Sequence, residues 1–76
     1  MSDYDLEGDY ADGYKHLRHV KLGTYVGIMV GWDDRTNLYW VTTRHNPRRK
    51  YEQIGPEVAT EEEAFAFAVA LARFNQ

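Results

Sequence analysis

The sequence predicts an α+β fold: an antiparallel β-sheet of three to four strands with one C-terminal α-helix packed on one face, a βββα order with an added N-terminal strand. Three observations carry this. Residues 24–43 crowd β-branched and aromatic residues into two arms around the polar stretch 33–37, which reads as a hairpin. Thr60-Glu61-Glu62-Glu63 is a capping box in front of an alanine-rich helical period. At 76 residues with no cysteine, the chain has room for one small core held by packing, without staples.

Residues 1–13 place Tyr4, Leu6 and Tyr10 among Asp3, Asp5, Glu7, Asp9 and Asp12 with neither a helical nor a strand period. They are expected to form an acidic N-terminal tail, ahead of a single α+β domain over 14–76. Two readings stand for the tail. One is a solvated terminus; the other is a segment in which carboxylates interleaved with tyrosines imitate a nucleic-acid strand or engage a basic partner. Residues 14–22 read as a first strand. Tyr14, His16, Arg18, Val20 and Leu22 lie on one side and Lys15, Leu17, His19 and Lys21 on the other, as expected of an edge strand defended by lysines. His16 and His19 then point to opposite faces and cannot share a metal ion.

In the hairpin, Thr24, Val26, Ile28, Val30 and Trp32 form the core face of the first arm, while the evenly spaced Gly23, Gly27 and Gly31 leave the other face bare around Tyr25 and Met29. Register decides what covers that face. If Asp33 pairs with Leu38, Trp40 lies over Gly31, Thr42 beside Met29 and Arg44 over Gly27; if Trp32 pairs with Leu38, Trp40 turns into the core. The first register is favoured, because an aromatic across the ladder shields an exposed glycine.

Asn46-Pro47 marks a turn, and Arg44, Arg48, Arg49 and Lys50 make the following loop basic: either a solvated loop or a holder of phosphate or an acidic protein surface. Residues 51–54 read as a short arm with Ile54 inward, stopped by Gly55-Pro56. A helix from Glu61 to Phe74 follows, with Phe67, Leu71, Phe74, Ala64 and Ala68 as its packing stripe. Phe65 and Val69 are either the flank of a wide core or part of a contact surface. The helix covers one face of the sheet, and no later element covers the other.

A net charge of −3 argues against a dedicated DNA binder. The absence of cysteine excludes disulfides and fits a reducing cytoplasm; three histidines without a thiol argue against a structural zinc site, so no cofactor is expected. The acidic start lacks the basic region of a signal peptide, and the longest apolar run, 64–72, is too short for a bilayer, so a soluble cytoplasmic protein is expected. Ser2 has no base beside it, Asp33 and Asp34 are explained as turn formers, and His45 is a lone loop histidine among bases; no enzymatic activity is expected.

From Thr24 to Asn75 the order of elements resembles an AP2-type DNA-binding domain. Thr60-Glu61-Glu62-Glu63-Ala64 is similar to that family's helix opening, and Tyr25-Val26-Gly27-Ile28 and Tyr39-Trp40-Val41 sit where its first two strands would be. The resemblance implies a DNA-binding module using the open sheet face and the basic loop. Tyr25, Gly27 and Met29 stand where that family places arginines, a departure that argues against sequence-specific DNA contact. In size, acidity, lack of cysteine and build, the chain also resembles small phage-encoded inhibitors of the anti-CRISPR type. That resemblance implies a protein-binding module, a monomer or weak dimer, that blocks a nucleic-acid-handling complex. It is the favoured expectation, with AP2-like DNA binding the alternative. The expected partner-binding residues are Tyr25, Met29, Trp40, Arg44, Arg48, Arg49, Glu61 and Glu62.

Overall fold

A computed structural model describes residues 3–74; Met1, Ser2, Asn75 and Gln76, the outer ends of the expected tail, domain and AP2-like match, lie outside the described residues. Five strands, β1 (Tyr4–Asp9), β2 (Tyr14–His19), β3 (Thr24–Asp33), β4 (Leu38–Thr43) and β5 (Glu52–Val58), form one antiparallel sheet in chain order, and helix α1 (Glu61–Phe74) crosses one face. The α+β class is as expected, but the sheet has five strands instead of three to four. No helix among the described residues is long and apolar enough to cross a membrane.

The added strand comes from the segment read as a tail. Tyr4 and Leu6 alternate with Asp5 and Glu7, and β1 pairs with β2 through Tyr4 opposite His19 and Leu6 opposite Leu17. Tyr4 is buried against the core, with its ring edge-on to His19 at 4.9 Å. The short alternation carries enough apolar surface to dock because β2 offers Leu17 opposite it. As a consequence β2 is an interior strand, and β1 takes the edge that the lysines of β2 were expected to defend.

The β3–β4 hairpin adopts the favoured register, with Asp33 opposite Leu38, Val30 opposite Val41 and Gly31 opposite Trp40. Turn chemistry fixes it. Asp33 accepts from the Arg35 amide at 2.9 Å, the Asn37 amide donates to the Asp33 carbonyl at 2.7 Å, and Asn37 takes the left-handed conformation at φ 57°. Trp32 then stacks on Tyr39 and donates its indole N–H to Asn37 Oδ1 at 3.1 Å.

β5 runs on through Gly55-Pro56 to Val58, where an earlier stop was expected, its register shifting between Tyr39 and Val41. Proline is tolerated there because β5 is the outer strand and needs no donor on its free side.

Helix α1 has the expected bounds and cap: the Glu63 amide donates to Thr60 Oγ1 at 3.2 Å. Its packing stripe holds at Ala64, Ala68 and Leu71 and is corrected at Phe67 and Phe74. Ala64, Ala68, Val69 and Ala72 are buried and Phe65 and Leu71 half-buried, whereas Phe67 is 36% and Phe74 85% exposed. An alanine seam lets the helix backbone approach β3 and β4, where Val30 and Val41 are fully buried beside Leu17 of β2; a phenylalanine at the centre would hold it away. Phe67 is displaced to the margin, against Gly55 of β5. Val69 and Phe65 form the flank of the core.

Candidate functional site

The face of the sheet opposite α1 is built from the outward residues of all five strands. Across its middle, His16 of β2 pairs with Met29 of β3, Met29 with Thr42 of β4, and Thr42 with Gln53 of β5. Although no element among the described residues covers this row, Met29 is 8% and Thr42 5% exposed. Large side chains around them exclude water instead. Tyr14 and Trp40 meet edge-on at 6.1 Å on one side, and His16 and Tyr25 meet edge-on at 5.7 Å on the other.

Trp40 is seated by Gly31. A β-carbon at Gly31 would come within 2.4 Å of Trp40 Cε2, so only glycine lets the indole lie flat against the strand. Gly27 has a different reason: at φ 74° it carries an irregularity in β3, between Tyr25 and Met29, where pairing with β2 shifts register. The Arg44 amide donates to the Gly27 carbonyl at 3.2 Å, which brings the start of the basic loop to the same corner.

The β1 edge of this face is a closed polar network. Arg18 reaches Asp5 at 3.3 Å and Glu7 at 3.0 Å, and the Tyr25 hydroxyl donates to Glu7 Oε2 at 2.7 Å. That hydrogen bond to a carboxylate, followed by the carboxylate's charge, holds the Tyr25 pKa above its ordinary value. Asp5 and Glu7, once candidates for charge mimicry, are thereby committed to partners within the sheet.

Two clefts divide the remainder, with Tyr51 bordering both. One, about 620 Å³, lies between Tyr25 and Tyr51 with Arg44 and His45 on its wall. The other, about 410 Å³, is bordered by Tyr14, Trp40, Asp33 and Glu57. The face is therefore cationic at one end and acidic at the other.

Of the expected binding residues, the structure brings Tyr25, Met29, Trp40 and Arg44 together on this face. Arg48 and Arg49 are exposed on the adjoining loop, where an Asn46 turn sets the backbone: the Arg48 amide donates to Asn46 Oδ1 at 2.9 Å and the Arg49 amide to the Asn46 carbonyl at 3.0 Å. Glu61 and Glu62 belong to α1, on the other side of the sheet. Glu61 is bound to Lys15 Nζ at 3.1 Å, and that ammonium also sits 4.6 Å from the centre of the Tyr10 ring. Burial works against the Glu61 carboxylate, but the Tyr10 hydroxyl and Lys15 more than offset it, so its pKa lies below the ordinary glutamate value. Glu62 is exposed.

Tyr51 is expected from the sequence to point outward, but it, Tyr14 and His16 were missed as binding residues. Their signal is the strand period: each lies an even number of positions from an outward residue of its own strand or its extension, and only the pairing to β3 and β4 shows that they converge. No family model, curated protein or solved structure matches the chain. The order strand–strand–strand–helix expected from the AP2 resemblance is present in β3, β4, β5 and α1, but β1 and β2 precede it in the same sheet.

Proposed function

We propose that the protein is a non-enzymatic protein-binding module that docks its partner on the open sheet face, with Trp40 as anchor. The observation that carries this reading is the half-buried indole of Trp40 laid over Gly31, beside Met29 and Thr42, which the surrounding rings keep dry. A large aromatic beside a desolvated centre is the arrangement that concentrates binding energy in protein interfaces. The charges around it favour a protein over nucleic acid. Asp33 and Glu57 border the Trp40 cleft and Glu7 borders Tyr25, so a polyanion lying along the face would meet carboxylates at several points. Occupation of a nucleic-acid-handling complex, in the manner of the small inhibitors the chain resembles, is the specific role proposed.

The test is affinity for the partner recovered with tagged protein from its native host after nuclease treatment. Trp40→Ala should stay folded by circular dichroism and lose at least ~2 kcal/mol of binding, about 30-fold. A folded Trp40→Ala protein that binds normally would sink the reading. Sub-micromolar, sequence-selective duplex binding at physiological salt would replace it with the DNA-binding alternative.

A further inference from the structure

We propose that the cleft between Tyr25 and Tyr51 is a carboxylate-recognition site that seats an acidic segment of the protein partner, an inference that rests on the open face being a docking surface. The cations of the molecule fall into two groups. Lys15, Arg18, Lys21 and Arg35 each have a carboxylate within ion-pair distance. Arg44, Arg48, Arg49, Lys50 and Arg73 have none among the described residues, although the chain carries more acids than bases; Arg73 lies on α1, on the other side of the sheet, and the other four follow one another on one loop. Arg44 is held in place without being neutralised: its guanidinium carbon sits 4.7 Å from the centre of the Tyr51 ring, so the fork is positioned while its charge stays available. Asn46 and Pro47 line the same opening, and Arg48 and Arg49 follow them on the exposed loop.

A planar fork on an aromatic wall recognises a carboxylate bidentately, and it also recognises a phosphate. The surroundings decide between the two. The Tyr25 hydroxyl is already given to Glu7, and the neighbouring Trp40 cleft is bordered by Asp33 and Glu57, so positive potential is confined to one corner. A short acidic stretch whose chain turns apolar toward Trp40 fits that confinement. A phosphate at every step of a strand does not.

The probes are hexaglutamate and decathymidylate, titrated into isotope-labelled protein while backbone amide shifts are followed by NMR. Hexaglutamate should shift Gly27, Arg44, His45 and Tyr51, bind more tightly than decathymidylate, and be lost at about 1 M salt, where the screening length falls to about 3 Å. Arg44→Glu should weaken it at least ten-fold with shifts elsewhere unchanged, and Arg44→Gln by less. Trp40→Ala should leave hexaglutamate binding intact, which separates this site from the anchor: loss of the partner by Trp40→Ala with no hexaglutamate response would overturn the cleft and leave the docking face standing. Tighter binding of decathymidylate, with shifts reaching Tyr14 and Trp40, would overturn the inference in favour of a nucleic-acid strand.

Discussion

The two faces of one sheet solve the same problem by different means. Under α1, small and branched residues are sealed by a second layer: Leu17 and Val30 are completely buried beneath an alanine seam. On the opposite face there is no second layer, and Met29 and Thr42 are kept from water by aromatic rings around them. A helix is fastened along its length by backbone, cap and ion pair, whereas a ring can swing about its own side-chain torsions. The first face is thus closed by a packed element and the second by side chains alone.

Deleting core volume under the helix is the harshest way to probe that contrast. Leu17→Ala should destabilise by about 2–5 kcal/mol, because the alanine seam opposite has no side-chain length with which to fill the void. Urea unfolding measures it; a loss near the surface-mutation range would mean the helix layer is not the stabilising one. A smaller effect is expected on the open face. Gly31→Ala forces a methyl into the Trp40 indole and should cost about 1–2 kcal/mol, with a changed tryptophan emission and weakened partner binding in a protein that remains folded. An unaltered emission spectrum would show that the ring already stands clear of the strand.

The smallest effect concerns the pair that ties the helix start to β2. Since the Glu61 pKa is lowered in the folded state, its contribution is present above the ordinary carboxylate value of about 4.3 and lost as pH falls through the lower folded value. Both side chains are part-exposed, so Glu61→Gln should cost only about 0.5–1 kcal/mol at pH 7. Melting temperatures of the two proteins should converge in acid. A gap that persists at low pH would assign the effect to packing and not to charge.

The favoured hairpin register and the helix bounds were legible from local chemistry: Gly31 calls for an aromatic across the ladder, which chose between two possible turns, and Thr60 with Glu63 marks the helix start. What was not legible depended on a distant partner. The Tyr4-Asp5-Leu6-Glu7 alternation is too short to announce a strand until Leu17 stands opposite it. The helix stripe was assigned to the largest residues, but the surface it meets is already filled by Val30 and Val41 and accepts only alanine at closest approach. Trp40, Met29, Tyr25 and Arg44 could be grouped from the register alone, while Tyr51 and Tyr14 required the outer pairings of the sheet.

Strict chain order in the sheet also governs how the molecule is made. Every strand pairs with its immediate neighbour in sequence, so each ladder closes over a short loop and the sheet can grow hairpin by hairpin at small entropic cost. Synthesis delivers α1 only after all five strands, and until then Leu17, Val30 and Val41 have no lid on a ribosome-bound sheet. The cap at Thr60 and Glu63, within four residues of one another, gives the helix that closes this surface a start encoded in its own sequence.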